Sequence, residues 1–269
     1  MTSFSVLQSV YKKDNPKYLD EAFQSIADNT IVPSQVVIVK DGLLTPDLET
    51  IIEHWQNKLP LKVVGYEENH GLCYALDYGL KYCDNEIIFR MDSDDLCYKN
   101  RFQKQLEFLE ENPDVALFSG YISEFDIDRN IPKSIRRVPI TYDNIVTFLK
   151  KRSAFNHVAV CFKKSAIIDS GSYQMVPWFE DYDLWIRVVQ KGYKVANIPE
   201  LLVDVRVGND MIGRRHGITY AKQELFFLKR QLKNGFINKK DYIKLIFLRV
   251  FIRLMPKWVL SIVYKLLRG

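Results

Sequence analysis

Short apolar runs alternate with amphipathic stretches through the first 120 residues of the chain. "FSVLQSV" (4–10), "QVVIVKDG" (35–42), "LKVVGY" (61–66), "NEIIFRMD" (85–92) and "DVALFSG" (114–120) are rich in the β-branched and aromatic residues of buried strands. Between them the apolar residues recur at helical spacing. Residues 15–29 carry Pro16 in their first turn, and residues 45–58 start from Thr45 as N-cap with Pro46 next. Residues 71–83 place Leu72, Ala75, Leu76, Gly79 and Leu80 on one face, and 100–112 read as a fourth helix. Such alternation predicts βαβ units and a mainly parallel sheet. From about 121 to 215 the elements shorten to a helix at 142–151, a strand near 157–162 and a helix at 181–191. In open parallel sheets ligands bind beyond the carboxyl ends of the strands. Tyr11, Asp41, Asn69 and Asp92 each fall just past such an end, so one crevice should collect them, with the second half of the chain as its other wall.

Composition narrows the class. The 269 residues are 47% hydrophobic and 13% aromatic, which suits one large α/β domain and argues against disorder. Cys73, Cys83, Cys97 and Cys161 lie scattered without a C-x-x-C pair, so neither a zinc site nor a disulfide framework is suggested, and a reducing, cytoplasmic compartment is expected. The N-terminal residues lack the basic start and apolar core of a secretion signal, and no window supplies the ~18 uncharged apolar residues of a spanning helix. The net charge of +5 is unevenly placed: residues 220–269 hold twelve Lys or Arg against Glu224 and Asp241, leaving the body mildly acidic.

The chemistry concentrates where "IIFRMDSDD" (87–95) ends a buried strand in three carboxylates. If the segment stays extended, Asp92 and Asp94 point the same way. Two such carboxylates make an oxygen-rich site for Mg²⁺ or Mn²⁺ that leaves positions open for phosphates. The plainer alternative is a solvated turn with a helix N-cap near Asp95. An EF-hand loop is excluded, because Leu96, Cys97 and Gln103 stand where an oxygen ligand, Gly and Glu are needed. An aspartyl-phosphate phosphatase is disfavoured by the cluster's place after the fourth strand and by Leu96.

"ENHGLCYALDYGL" (68–80), "RMDSDD" (90–95) and "RFQKQLEFLEENPDVALFSG" (101–120) resemble successive motifs of family 2 glycosyltransferases, particularly bacterial enzymes of amylovoran and O-antigen biosynthesis. The resemblance continues through "FNHVAVCFKKSAI" (155–167), "WFEDYDLWIRVVQKGYKVANIPELLVDVRVGND" (178–210) and "GRRHG" (213–217), and so spans roughly residues 3–217. It implies a GT-A fold, a Rossmann-like, mainly parallel sheet flanked by helices. Tyr11, with Val10, is then expected beside uracil, Asp41 on the base edge, and Asn69 and Gly71 near base and ribose. Asp92 and Ser93 would meet the nucleotide-sugar, and Asp94, with Asp92 and His216, the metal. Arg206, Arg214 and Arg215 are candidates for the departing diphosphate. Glu180 and Asp181 match the family's catalytic pair, with Asp181 as base and Asp183 a rival. Asn156, His157 and Trp178 would face the acceptor. The chain has neither the Q-x-x-R-W motif nor the multiple spans of processive members, so the resemblance implies single, inverting transfer from a UDP-hexose.

The tail, "YIKLIFLRVFIRLMPKWVLSIVYKLLRG" (242–269), interleaves large aliphatics with cations at Lys244, Arg249, Arg253, Lys257, Lys265 and Arg268. Their near-helical spacing suggests a basic stripe suited to anionic headgroups, broken at Pro256, rather than a nucleic-acid surface. The expectation is a glycosyltransferase domain over 1–218, divided near 120 into nucleotide-sugar and acceptor halves. Residues 219–269 would form a peripheral attachment at the cytoplasmic face of the bacterial inner membrane. A sugar-binding protein without turnover and a nucleotidyltransferase are the competing classes. The latter would need a glycine-rich loop where "SVYKKDNP" (9–16) has none.

Overall fold

The computed structural model describes residues 2–208 and 216–254. In chain order its strands are β1 (Phe4–Val10), β2 (Gln35–Asp41), β3 (Leu61–Tyr66), β4 (Ile87–Arg90), β5 (Leu96–Cys97), β6 (Val115–Phe125), β7 (Ser134–Arg136), β8 (Cys161–Lys163) and β9 (Lys194–Arg206). Its helices are α1 (Pro16–Ala27), α2 (Pro46–Gln56), α3 (Leu72–Leu80), α4 (Arg101–Glu111), α5 (Tyr142–Leu149), α6 (Lys164–Asp169), α7 (Glu180–Gln190), α8 (Ile218–Lys233), α9 (Lys239–Leu245) and α10 (Phe251–Leu254). A π-helical turn (Ile246–Val250) joins α9 to α10.

One sheet runs β3-β2-β1-β4-β8-β6-β9-β5, with β7 beside β6. β1 to β4 pair in parallel, so their carboxyl ends share one edge. β8 then runs antiparallel to both β4 and β6. The parallel half follows the sequence pattern closely. The mixed half departs from it: β9 is a 13-residue strand in a segment read only as family motif, and the strand expected near 157–162 is a short turn followed by β8.

Both sheet faces are covered, which is why the strands are continuously apolar rather than alternating. Val6, Val10, Val36, Ile38 and Phe89 pack on one side, and Leu7, Val37, Val39 and Ile88 on the other. Helix α3 lies so close to the sheet that a Cβ at Gly79 would stand 2.4 Å from Val39 Cγ2 and 2.6 Å from Leu7 Cδ1. Glycine is required there by contact, not by backbone conformation.

The buried core runs across the boundary expected at 218. Tyr220, Ala221, Phe227, Leu228, Leu245 and Val250 belong to the same buried cluster as Phe179, Tyr182 and Trp185 of the body. Glu224 of α8 is fully buried and accepts from Arg249 Nε at 2.5 Å and Arg253 Nε at 2.9 Å. Two cations of the expected basic stripe therefore face inward. Lys257, Lys265, Arg268 and the break at Pro256 lie outside the described residues.

Removing one partner of a buried ion network leaves an uncompensated charge, at a cost of about 3–5 kcal/mol. Glu224→Ala should lower the stability of the whole domain by that order, seen as one urea transition at lower midpoint. A separate early transition of the tail, with the body unchanged, would instead support a detachable unit.

Candidate active site

The carboxyl edge of β1–β4 carries two linked clusters. At the first, the Asp41 carboxylate accepts from Tyr66 Oη (2.9 Å), Asn69 Nδ2 (2.8 Å) and the backbone N–H groups of His70 (2.8 Å) and Gly71 (3.0 Å). Gly71 caps α3 with φ +86°, a conformation that suits glycine. Asp41 thus organises the loop between β3 and α3, and its lone pairs are engaged by the protein's own donors. It stands at the carboxyl end of β2, on the edge where the base was expected. Asn69 and Gly71 are at the strand ends as expected, bound to Asp41. Val10 is buried in the core, where it supports its half-exposed neighbour Tyr11.

The second cluster is the acidic turn after β4. Residues 93–94 turn rather than extend, and this turn, not strand alternation, gathers one oxygen each from Asp92, Asp94 and Asp95 to within 4.8 Å of one another. Among the described residues this is the group that could hold a metal; His216 is not part of it. Asp95 is not a helix N-cap, since α4 is preceded by Asn100. It is 1% exposed and accepts from the Arg206 backbone N–H at 2.8 Å. Burial, then the charges of its neighbours, holds the Asp94 and Asp95 carboxyls above the usual carboxylate range.

Asp14 belongs to the same neighbourhood. It accepts from Ser93 Oγ (2.8 Å) and the Tyr11 N–H (3.1 Å), and burial pushes it up to about 6. Gln8 Nε2 donates to the Asp92 carbonyl at 3.0 Å. The β1 end and the acidic turn are therefore one unit.

Arg90, the last residue of β4, is the cation beneath these groups. It is 2% exposed and ion-paired with Asp92. Its positive charge also opposes the upward shifts of Asp94, Asp95, Glu180 and Asp181. The two acidic groups, 90 residues apart in sequence, thus flank one guanidinium. Arg206 packs on the turn from outside. Its guanidinium lies 3.8 Å from the Tyr18 ring centroid, pairs with Glu21 at 2.7 Å and donates to the Asp94 carbonyl at 3.2 Å. These contacts tie Arg206, a candidate for the diphosphate, to the acidic turn. Arg214 and Arg215 lie outside the described residues.

The opposite wall is the start of α7. Glu180 and Asp181 are half-buried in its first turn. Burial first, and then the Asp181 charge, raises Glu180 to about 7; burial also raises Asp181. Asp183 is different. It is fully buried and binds Arg187 Nε (2.8 Å), Arg230 Nε (2.7 Å) and Gln231 Nε2 (2.9 Å), so it anchors α7 to α8 and is no rival base. Trp178 is half-exposed, stacked on Tyr220 at 5.1 Å, and held at φ +65°. A bulky residue in that region costs on the order of 1–3 kcal/mol and marks an imposed geometry. Asn156 is buried and donates to the carbonyls of Gly120 and Arg136. His157 is bonded to Tyr173 Oη at 3.0 Å, and burial and then Arg90 keep it well below the ordinary imidazole range.

The parallel half-sheet, the acidic turn at its edge and a second acidic wall define a GT-A nucleotide-sugar fold. Likeness to solved structures agrees: S. aureus TarS 1–349 in complex with UDP-GlcNAc matches with a TM-score of 0.67 at 18% identity, over 91% of this chain and 70% of that one. The mannosyltransferase PcManGT from Pyrobaculum calidifontis, in complex with GDP-Man and Mn²⁺, gives 0.63 at 15%, over 92% and 69%. The Glycosyl transferase family 2 model matches residues 5–175. An uncharacterized glycosyltransferase of Haemophilus influenzae is 41% identical over 262 residues, 97% of each chain. The amylovoran biosynthesis glycosyltransferase AmsE of Erwinia amylovora is 38% identical over 97% of this chain and 98% of its own. The Escherichia coli UDP-Gal:alpha-D-GlcNAc-diphosphoundecaprenol beta-1,3-galactosyltransferase is also 38% identical, over 97% and 95%. The chain belongs to glycosyl transferase family 2 and is a glycosyltransferase.

The two aspartates of α7 should separate cleanly. Asp181→Asn should fold normally and lose transfer by at least about 100-fold, the scale of a positioned base. Asp183→Asn should chiefly lower the melting temperature. A raised carboxyl must lose its proton to act as base, and burial raises Asp181, so wild-type kcat should climb with pH through a range above the usual carboxylate one. Equal activity losses in both variants, at equal stability, would contradict these roles.

Proposed function

We propose that the protein is a metal-dependent, inverting hexosyltransferase. It takes a hexose from a UDP-sugar, with UDP-Gal or UDP-Glc favoured, and delivers it to a polyprenyl-diphosphate-linked saccharide in O-antigen or exopolysaccharide assembly. The observation that carries the reading is the Asp92/Asp94/Asp95 turn, supported by full-length similarity to a UDP-Gal-dependent enzyme acting on a diphosphoundecaprenol-linked sugar. Three clustered carboxylates, two with raised affinity for protons, are an all-oxygen donor set that fits Mg²⁺ or Mn²⁺.

In this reading Asp94 and Asp92 hold the cation, with Asp95 behind them, and Arg90 sets the charge balance. The bound cation would offset the charge of the departing diphosphate. Tyr11, Asn69, Gly71 and Ser93 border the nucleotide along the strand ends. Trp178 offers a flat aromatic face to an acceptor sugar. The acceptor hydroxyl oxygen attacks the anomeric carbon as its proton passes to the Asp181 carboxylate. The bond from that carbon to the diphosphate oxygen breaks, and UDP leaves with the electron pair. Attack opposite the leaving group turns an α-linked donor into a β-linked product. Glu180 stands beside Asp181, its own proton affinity raised by burial and then by its neighbour's charge.

Among the described residues no helix is long and apolar enough to cross a membrane. In this reading the lipid-linked acceptor is what would bring the protein, as a peripheral one, to the cytoplasmic face of the inner membrane.

UDP release from a panel of UDP-hexoses and UDP-N-acetylhexosamines tests the reading, with a diphosphate-lipid acceptor and Mn²⁺ or Mg²⁺. One donor should be turned over, EDTA should stop it, and the product linkage should be β. Turnover unaffected by EDTA, or release only from a non-uridine nucleotide, would overturn it.

A further inference from the structure

The helical stretch from α9 to α10 is apolar on two sides: Leu245 and Val250 are buried in the core, and a second apolar set faces out. Arg249 and Arg253 face inward to the buried Glu224, while Ile243, Phe247, Leu248, Phe251 and Leu254 stand 48–62% exposed. Their spacing places them along one side of the helix, and the Phe247 and Phe251 rings stack at 5.2 Å. A helix packed only against its own domain would turn a polar side outward. Lys240 and Lys244, both exposed, precede Phe247 and Leu248 along that side, with Lys239 at its margin. Asp241 is the one acid between 239 and 254.

We propose that this face, rather than the cationic stripe of the sequence, is a membrane-docking surface. Ile243, Phe247, Leu248, Phe251 and Leu254 enter the acyl boundary of an anionic bilayer, and Lys239, Lys240 and Lys244 meet its headgroups. Charge complementarity selects this occupant. A second copy would set lysine against lysine. Residues 255–269, with Lys257, Lys265, Arg268 and no acid, would bring further positive charge to a positive face. The inner side of the same helix reaches toward the acceptor wall: Arg253 lies 4.8 Å from the Tyr220 ring, and Tyr220 stacks on Trp178, two residues before Glu180. The proposal deepens the lipid-linked acceptor reading by stating which side of the enzyme meets the bilayer.

The four native cysteines are buried, so a single introduced surface thiol can be labelled selectively. The full chain carrying Phe247→Cys, labelled with a polarity-sensitive dye, should emit as if in water when alone. Emission should shift to the blue with vesicles of phosphatidylglycerol and phosphatidylcholine, and far less with phosphatidylcholine alone. Phe251→Ser with Leu254→Ser, expected to fold because both side chains are exposed, should weaken vesicle partitioning by about tenfold or more. The same variant should keep wild-type turnover of a short-chain, water-soluble acceptor, so loss of docking is distinguishable from loss of the reaction. A blue emission without vesicles that they do not change would overturn the proposal. Dependence of that emission on protein concentration would assign the face to a second copy, and independence to the chain's own residues 255–269.

Discussion

A buried guanidinium at the end of β4 sets the conditions for the rest of the site. Arg90 is ion-paired with Asp92, and its charge is felt by Asp94, Asp95, Glu180 and Asp181. Without it, two acidic groups brought from opposite halves of the chain would repel across a partly buried space, and folding would have to overcome that repulsion. A single cation does not neutralise five carboxylates. Burial first, and then the residual negative charge, holds Asp94, Asp95 and Glu180 above their usual range. That imbalance suits a site that takes up a divalent cation and gives up a proton-accepting carboxylate to a substrate.

The carboxylates nearby divide by their partners. Asp41 and Asp183 are saturated, one by a loop's own N–H and O–H donors, the other by two arginines and a glutamine. Asp183 joins two helices, and Asp41 holds the loop at the strand ends. Asp94 and Asp181 have fewer compensating contacts and stay partly exposed. Satisfaction of hydrogen-bonding capacity, more than sequence position, separates the residues that hold the site from those offered to a ligand.

The parallel half of the fold was legible because its strands are buried on both faces and its helices are amphipathic, so period and length agree. The convergence of Tyr11, Asp41, Asn69 and Asp92 at one edge followed from that topology. Arg90 was not singled out, although an arginine inside the run "IIFRMD" is the signal: a charge within a buried strand requires a charged partner. Asp14 was missed because nothing local marks it; its partner Ser93 is 79 residues away. The tail misled for a related reason. Helical spacing shows which residues share a face but not which way the face turns, and the inward turn of Arg249 and Arg253 depends on Glu224, one helix earlier. Asn156 reads as a motif residue, and only the carbonyls of Gly120 and Arg136 disclose that it is part of the core.

The central claim is that the acidic turn exists to hold a cation together with a nucleoside diphosphate. Calorimetric titration of UDP into the protein, with Mn²⁺ and then with EDTA, in wild type and in Asp94→Asn, tests it without need of the donor sugar or acceptor. Binding should tighten by at least about tenfold with Mn²⁺ in the wild type and show no such gain in Asp94→Asn. UDP affinity that is the same with and without the metal, or a metal gain preserved in the variant, would contradict the claim.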